Sequence, residues 1–289
     1  MVQNSVTCIG AFHWDTVAHA THSLDPGADV PGVVRRSPGG VAYNVANELI
    51  HHGFNAQLLS VVGRDSDGDA LLNLCALRGI DTDMVIRHPT LRTDQYVAIE
   101  GRGGALFGAI ADTLALDEIG ISLLDPLRQR RFNGVVVVDG NLSPLVLAEL
   151  AAASSLRDAD MRVVPASPDK APRLRDFLVM TECTIYANLA EANAILNGEH
   201  AQAEAAARDL AALGARMAVV TNGSASAAIA RSGLVYSATP PPVIAGSVTG
   251  AGDAFVAGHI AAQLRGEMDW NALKGGLQSA ARHMERYNQ

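Results

Sequence analysis

Short apolar runs alternate along the chain with stretches in which apolar residues recur every three or four positions. Each run is apolar throughout, which is typical of strands buried on both faces of a parallel sheet. The alanine-rich stretch 201–213 has the helical pattern and stops at Gly214, a residue favoured just after a helix. The alternation predicts an α/β fold with crossover helices. The strand-like runs are SVTCIGA, AQLLSVVG, GVVVVDG, MRVVPAS, CTIYAN and MAVVTNG.

Two stretches, at about 15–36 and 92–111, interrupt this alternation. The second contains two strand-like runs around the glycine-rich turn GRGG, which is a hairpin pattern, and no helix follows it. Such hairpins predict a small β-lid beside the main sheet. Neither an internal repeat nor a Pro/Ser-rich linker divides the chain, so the sequence predicts a single domain over 1–289.

The amino-acid composition of the chain indicates which kinds of molecule it binds. The hydrophobic fraction of 48% is ample for a core, and the formal net charge of −8 with only two lysines, Lys170 and Lys274, argues against a nucleic-acid binder. Cys8, Cys75 and Cys183 are far apart, which predicts core thiols in a reducing compartment rather than disulfides or a zinc knuckle. The sequence has no signal-peptide pattern and no run of 18 apolar residues, so we expect a cytoplasmic protein with small-molecule partners and no membrane contact.

The segment TGAGD at 249–253 opens an apolar helix-like stretch, AFVAGHIAAQL. Gly250 and Gly252 carry no side chain, so backbone N–H groups can approach a bound group closely, and the positive end of the helix dipole favours an anion there. Asp253 would repel a phosphate unless it accepts a proton from an attacking hydroxyl. A glycine turn followed by an acidic helix start explains the five residues about equally well.

A second glycine pair, Gly39 and Gly40, precedes a helix-like stretch whose apolar stripe ends at Gly53. Asn44 lies one turn from the pair and offers both a donor and an acceptor, as sugar hydroxyls require. The other polar residues of this stretch are expected to form a solvated face. They are Asn47, His51 and His52.

Asn188 and Glu191, in ANLAE, follow a strand-like run. A capping box, in which each side chain bonds the other residue's backbone N–H, explains both residues without any chemistry. The functional hypothesis is that they organise water and Mg²⁺ near a phosphate, because Mg²⁺ keeps several waters and needs few protein ligands. Asp15 follows the first strand, where an α/β sheet presents ligand-binding loops.

Several familiar motifs are missing. GRDSDGD at 63–69 fails as a calcium loop, because Ala70 and Ala76 stand where that loop needs its glycine and its final glutamate. Neither lysine is followed by Ser or Thr, which excludes a Walker A loop, and Phe255 replaces the third glycine of a dinucleotide fingerprint. The motifs G-x-S-x-G and H-E-x-x-H are also absent. The sequence therefore lacks the usual motifs of hydrolases, metalloproteases and NAD-dependent oxidoreductases.

Five segments in order, GGVAYN, VGRDSDG, NLAE, TNG and TGAGDAF, resemble the ribokinase-like (PfkB) carbohydrate kinase family over nearly the whole chain. The resemblance implies a doubly wound, mostly parallel α/β domain with a β-lid that closes over a sugar or nucleoside. It also implies ATP- and Mg²⁺-dependent phosphorylation of a hydroxyl group.

The resemblance also implies residue roles. Asp253 would be the catalytic base, beside an anion hole formed by Gly250, Ala251 and Gly252. Mg²⁺ would be organised, through water, by Glu191 and Asn188. The substrate-binding residues would be Asp15, Gly39, Gly40, Asn44, Asn141 and Asp112. The ATP-binding residues would be Asn188, Thr221, Gly223 and Thr249.

The chain departs from the family pattern in places. Ser247 and Val248 stand where the family often has Asp-Thr, which puts an activating K⁺ site in doubt. Ser226 replaces a glycine near the ATP loop, and His13 replaces an asparagine near the sugar pocket.

Substrate and assembly are further expectations. SVTGAGD, DGN at 139–141 and AIAD at 109–112 resemble the pseudouridine kinase branch, which implies that Asp15 and Asn44 hold ribosyl hydroxyls and that lid residues 96–112 face the base. Ribose, fructose, 2-keto-3-deoxygluconate, inosine and adenosine remain alternatives, as does a catalytically silent ligand-binding relative. Exposed lid edges are commonly covered by another copy, so we expect a homodimer joined through the lid.

Overall fold

The computed structural model describes residues 5–25, 27–102, 105–128, 130–243 and 249–286. Its main sheet has eight strands in the order β14-β13-β12-β11-β10-β9-β1-β4. The six strands from β12 to β4 run parallel, and β13 and β14 extend the sheet antiparallel at one edge. These strands are β1 Ser5–Ile9, β4 Asn55–Leu59, β9 Val135–Asp139, β10 Asp160–Val164, β11 Thr184–Asn188, β12 Met217–Thr221, β13 Ala227–Arg231 and β14 Leu234–Ala238.

Helices cover both faces of this sheet. The first apolar core packs one face of the strands against α3 to α7, and the second packs the other face against α1, α2, α8 and α9. Alternate residues of β9 point into the two cores, as the unbroken apolar run predicts. The helices are α1 Val41–His51, α2 Ser66–Arg78, α3 Leu114–Ile119, α4 Pro144–Ala152, α5 Leu174–Met180, α6 Leu189–Leu196, α7 Ala203–Leu213, α8 Ala251–Leu264 and α9 Asp269–Arg286. The structure therefore confirms a doubly wound α/β fold.

A separate four-stranded sheet forms the β-lid, in the order β3-β2-β7-β8. Its strands are β2 His13–Ala20, β3 Gly32–Gly39, β7 Gln95–Glu100 and β8 Leu106–Asp112. Both interruptions of the sequence pattern thus contribute strands to this sheet. Gly103 and Gly104, part of the predicted hairpin turn, lie outside the described residues.

The acidic segment 63–69 has structural partners. Asp65 caps α2 by accepting a hydrogen bond from the Gly68 N–H at 2.8 Å. Asp67 accepts two hydrogen bonds, of 3.0 and 2.6 Å, from the guanidinium of Arg36, which also stacks on the Trp14 ring of the lid. These carboxylates therefore stabilise a helix end and tie the lid to the main domain.

The predicted strand AQLLSVVG is divided in two. Its second part, β5 Val61–Gly63, leaves the main sheet and pairs with β6 Ile86–His88 in a small parallel ladder. The three cysteines are buried, and their thiols are free. Within the described ranges, no helix combines the length and apolar character needed to cross a membrane.

Candidate active site

The turn before α8 has the geometry expected of an anion-binding loop. Gly250 has φ 79°, a left-handed conformation that favours glycine, and precedes the first helical residue, Ala251. A Cβ placed on Gly252 would have no heavy atom within 4 Å apart from its chain neighbours and the nearby backbone of its own helix, so a ligand can approach this backbone. The first N–H groups of a helix have no acceptor within the helix. Together these features leave backbone donors pointing out of the start of α8.

A cleft of about 210 Å³ lies at this point, between the start of α8 and the carboxyl ends of the central strands. It brings together residues from three separate sequence motifs. The predicted site residues that line it are Asn188, Glu191, Thr221, Gly250, Gly252 and Asp253. A larger cavity of about 290 Å³ lies between α8, α9 and His52, and no predicted site residue lines it. We therefore take the smaller cleft as the candidate active site.

Asp253 is the partly buried carboxyl group of this cleft. Its Oδ2 accepts a hydrogen bond of 2.9 Å from Asn44 Nδ2 on α1. Burial raises the pKa of Asp253 to about 7, and the charges of Asp139 and Glu191 also raise it. The Asn44 hydrogen bond and the charge of His283 lower this pKa, but burial outweighs them. A carboxyl group that titrates near neutral pH can accept a proton from a hydroxyl and release it again.

The glycine pair at the start of α1 brings the lid against this site. Gly40 has φ 98°, and a side chain there would overlap the Ala11 carbonyl. A side chain at Gly39 would overlap the carboxylate of Asp15, so the pair admits the Asp15 side chain beside the backbone. The structure therefore brings Asp15 to Gly39, just before the helix that carries Asn44.

Asn188 and Glu191 form the predicted capping box at the start of α6. The Asn188 N–H donates to Glu191 Oε2 at 2.8 Å, and the Glu191 N–H donates to Asn188 Oδ1 at 2.9 Å. Glu191 is only 8% exposed, and burial raises its pKa to about 7 against the effect of the Asn188 N–H. The capping interaction thus holds a second carboxyl group with a raised pKa inside the cleft.

The residues around the cleft could bind Mg²⁺ only if water and substrate phosphates supply most of its ligands. In the part of the chain that the structure describes, no group of three or more His, Cys, Asp or Glu side chains is placed to enclose a metal. Mg²⁺ commonly binds through one or two carboxylates together with substrate phosphates and water. Glu191, beside the donors of the α8 turn, meets that requirement.

The predicted ATP-binding residues lie along the same edge of the sheet. Thr221 ends β12 directly beside Asn188 of β11, and it lines the cleft. Gly223 is exposed in the turn to β13, with φ 56° and open space around its Cα. Thr249 is exposed, and its carbonyl oxygen faces His283 Nε2 at 3.1 Å.

Two predicted substrate residues are placed differently from the others. The amide of Asn141 is engaged by protein groups, because Nδ2 donates to Asp139 Oδ2 at 3.2 Å and Oδ1 accepts from Lys170 Nζ at 2.7 Å. Asp112 is exposed at the end of β8, opposite Gln95, on the lid. None of the predicted substrate residues lines the cleft itself, and only Asn44 among them bonds to Asp253.

Three polar residues near the site, Asp139, Lys170 and His283, were not predicted as site residues. Asp139 is fully buried and accepts hydrogen bonds from the N–H groups of Ala11 and Asn141, each at 2.8 Å. Burial raises its pKa, and the charge of Lys170 lowers it. Only the parallel pairing of β9 with β10 brings Lys170 to this carboxylate, and only the packing of α9 brings His283 to the α8 turn.

The chain is similar to several known kinases. The uncharacterized sugar kinase YeiI of Escherichia coli is 32% identical over 142 residues, which are 49% of this chain and 39% of that protein. The pseudouridine kinase of E. coli is 30% identical over 176 residues, 60% of this chain and 55% of that one. Each match thus spans less than two thirds of the relative. A structure of Arabidopsis thaliana ribokinase complexed with ribose and ATP superposes with a TM-score of 0.82 at 17% identity, covering 99% of this chain and 93% of that one.

The family model described as pfkB family carbohydrate kinase matches residues 3–288. This match spans nearly the entire sequence, and it includes both the lid and the cleft at α8. The chain therefore belongs to the pfkB family of carbohydrate kinases.

Proposed function

We propose that this protein is one kinase domain that transfers the γ-phosphoryl group of ATP to a hydroxyl of a sugar or nucleoside. One observation carries the proposal: a carboxyl group with a pKa of about 7, Asp253, lies in the first turn of a helix whose backbone donors open into a cleft. A protein that only binds phosphate has no use for a carboxylate at that position. Membership of a carbohydrate kinase family agrees with this chemistry.

In the proposed reaction, Asp253 accepts the proton of the substrate hydroxyl. The hydroxyl oxygen forms a bond to the γ-phosphorus as the bond from that phosphorus to the β,γ-bridging oxygen breaks, and ADP leaves. The N–H groups of Gly250, Ala251 and Gly252 stabilise the charge on the transferring phosphoryl oxygens. Asn44 orients the Asp253 carboxylate through the hydrogen bond of 2.9 Å.

Bound Mg²⁺ would supply positive charge against the nucleotide phosphates. Glu191 would hold it, with Asn188 keeping the Glu191 carboxylate oriented through the capping box. Thr221, Gly223 and Thr249 would contact ATP along the carboxyl edge of the sheet. Asp15, Gly39, Gly40 and Asn44 would bind hydroxyls of the acceptor.

We favour pseudouridine, at its 5′-hydroxyl, as the acceptor. Asp15 and Tyr96 are paired across β2 and β7, so their side chains lie on the same face of the lid sheet. Asp15 reaches the start of α1, and an aromatic ring beside it suits a base attached to a ribosyl group. The similarity to a pseudouridine kinase supports this choice, and the similarity to a sugar kinase makes a free sugar the second candidate.

A screen that measures ADP release tests both the kinase activity and the choice of acceptor. The acceptors are pseudouridine, uridine, inosine, adenosine, ribose, fructose and 2-keto-3-deoxygluconate. We expect the highest kcat/KM with pseudouridine, because a polar pocket strongly rejects analogues that leave its groups unpaired. A free sugar that outperforms every nucleoside would overturn the substrate assignment but not the kinase assignment. ADP release with none of them would instead favour a ligand-binding relative without catalysis.

The matched variants are Asp253→Asn and Asp176→Asn. Asp253→Asn should retain ATP binding and lose turnover by about 10²- to 10⁴-fold, the usual contribution of a general base. Asp176 is an exposed acidic residue in the first turn of α5, so its substitution controls for a charge at a helix start. Turnover of Asp253→Asn close to that of the Asp176 variant would refute the assignment of the base.

We also propose a homodimer joined through the lid. Val34, Val97 and Ile110 occupy paired or aligned positions on one face of the lid sheet and are exposed by 67%, 38% and 72%. The strand β8 also leaves an edge of this sheet unpaired within the described lid. A second copy would cover both features at once.

A further inference from the structure

The cavity of about 290 Å³ beside α8 belongs to no site assigned so far. It lies between α8, α9 and the residue that caps the end of α1, His52. Residues spaced three or four apart on a helix share one face, and the cavity is lined by such sets from both helices. They are Ala262 and Arg265 at the end of α8, and Lys274, Gln278 and Arg282 on α9.

Small residues bring the two helices close together at the cavity. A side chain on Gly258 of α8 would overlap Ser279 of α9, and a Cβ on Gly275 would lie 2.9 Å from the Cβ of Ala262. Close packing of α8 against α9 accounts for these small residues without any ligand. It does not account for the charged side chains around the cavity.

Three of the lining side chains are cations, Arg265, Lys274 and Arg282. In the part of the chain that the structure describes, no carboxylate forms an ion pair with any of them. Neutral groups hold two of them instead. Arg265 donates to the His52 carbonyl oxygen at 2.6 Å, and the Lys274 ammonium lies 3.6 Å from the centre of the Trp270 ring. Such a cluster is unexpected in a chain with a formal net charge of −8.

The helix dipoles explain only part of this charge. Positive side chains are favoured in the last turn of a helix, which suits Arg265 at the end of α8 and Arg282 near the end of α9. Lys274 lies in the second turn of α9, where the dipole gives no such preference. The position of Lys274 therefore needs another reason.

The His52 ring shows that the charges act on one place. Burial lowers the pKa of His52, and the charges of Arg282, Arg265 and Arg286 lower it further, while Glu48 raises it. Two arginines of the cavity thus repel a proton on the same ring. The ring is neutral at neutral pH and adds no charge of its own.

The charge of the cavity indicates the class of ligand. Its three cations face one carboxylate, that of Glu267, which leaves two positive charges in excess. A phosphate group on a small molecule carries about two negative charges near neutral pH, and arginine matches its geometry. The amides of Asn271 and Gln278 add donors and acceptors suited to hydroxyl groups. The volume lies at the small end of the range for ligand pockets, so the ligand is small.

We propose that the cavity between α8 and α9 is a second anion site, which binds a phosphate group, free or in a small phosphate ester, through Arg265, Lys274 and Arg282. No residue lines both this cavity and the candidate active site. At a helical rise of about 1.5 Å per residue, Ala262 lies roughly 14 Å further along α8 than Asp253. Every residue named for this site is described, whereas Ser247 and Val248, before the active-site turn, lie outside the described residues.

The first experiment uses a tryptophan at the cavity as a reporter. The chain has two tryptophans, so Trp14→Phe leaves only Trp270, whose ring contacts the Lys274 ammonium. This variant is titrated with inorganic pyrophosphate in metal-free buffer, with NaCl keeping the ionic strength constant. We expect a saturable change in fluorescence as the anion binds Lys274.

A matched pair of arginine variants locates the binding. In the Trp14→Phe protein, Arg282→Gln should raise the Kd for pyrophosphate about 10- to 100-fold, as expected for a lost hydrogen bond between charged groups. Arg157 is exposed and does not line the cavity, so Arg157→Gln makes the same change in net charge and should leave the Kd unchanged. Equal Kd values for the two variants would overturn the proposal.

Calorimetry decides the outcome if Trp14→Phe does not fold or its fluorescence does not respond. Over the same concentration range, Arg282→Gln should bind one pyrophosphate fewer per chain than the wild type and Arg157→Gln, since any binding at the active-site turn is common to all three. An equal number bound by all three would overturn the proposal. Inorganic phosphate and ribose 5-phosphate, titrated in the same way, distinguish a free phosphate from a phosphate ester. The result does not depend on the kinase assignment, because neither method requires turnover.

Discussion

The hydrogen bond from Asn44 to Asp253 gives the most direct test of the proposed base. It joins α1 to α8 across 209 residues of sequence, with Nδ2 at 2.9 Å from Oδ2. Because the amide donates to the carboxylate, it favours the ionised form and lowers the pKa of Asp253. Replacement by leucine, Asn44→Leu, removes the donor and keeps a side chain of similar size.

The size of the effect follows from the type of bond. A hydrogen bond to a charged group contributes about 1.5–3 kcal/mol, and one pKa unit corresponds to about 1.4 kcal/mol, so the pKa should rise by roughly one to two units. The value of about 7 in the native protein would move to roughly 8 or 9. Asp253 must be ionised to accept a proton, so activity rises with pH through this pKa, and the acid limb should move to higher pH.

The assay is the pH dependence of kcat/KM, which reports ionisations of the unbound enzyme. ATP ionises equally in every reaction, so the shift between variants is the informative quantity. Asn47→Leu makes the same change one turn along α1, where Asn47 Oδ1 accepts from Arg78 at 3.1 Å instead of contacting Asp253. If the limb of Asn44→Leu coincides with those of the wild type and Asn47→Leu, Asp253 is not the group that limits the rate.

Three further predictions concern stability, metal and assembly. Glu191→Gln keeps a side chain able to complete the capping box, so we expect an unchanged melting temperature. A titration of the rate with Mg²⁺ should show that the variant requires more Mg²⁺. A variant that loses stability but keeps the same Mg²⁺ requirement would show that Glu191 has only a structural role. Folding lowers the pKa of Glu48 from 4.5 to about 2, so the stability that this carboxylate contributes is present above pH 4.5 and is lost as the pH falls towards 2. The free energy of unfolding in urea should therefore depend less on acid pH in Glu48→Gln than in the wild type. The same pH dependence in both proteins would contradict this. Ile110→Glu on the lid face should give a monomer by light scattering, while Leu77→Glu on α2, 84% exposed, should remain a dimer.

The six parallel strands of the main sheet were predictable because burial on both faces leaves a continuous apolar run in the sequence. β9, VVVVD, is buried at every position and was recognised on that basis. The exposed edge strand β14 carries no such run, with all five residues at least partly exposed, and it was not predicted. The division of AQLLSVVG into β4 and β5 also has no local signal, since both halves are buried and the change of sheet is decided by pairing with β6.

Parts of the site were predictable for a different reason. The Asn188–Glu191 capping box spans three residues and the Gly250 turn adjoins its own helix, so their geometry is local and appears as a motif. The contacts of Asn44 with Asp253 and of Glu48 with His283 span 209 and 235 residues. No pattern of residue spacing in the sequence predicts contacts between residues that far apart. Asn141 was noticed in DGN, but its engagement by Lys170 depends on the loop after a neighbouring strand.

Glu191 also connects the capping box with the chemistry. The box holds a buried carboxyl group with a pKa of about 7 in the cleft, and the charge on that carboxyl group raises the pKa of Asp253. Removing the charge of Glu191 should therefore lower the pKa of Asp253 in the unbound protein. Asp253 must be ionised to accept a proton, so the acid limb of kcat/KM, which reports the unbound enzyme, should lie at lower pH in Glu191→Gln than in the wild type. A limb at the same pH in both proteins would show that Glu191 does not influence the base.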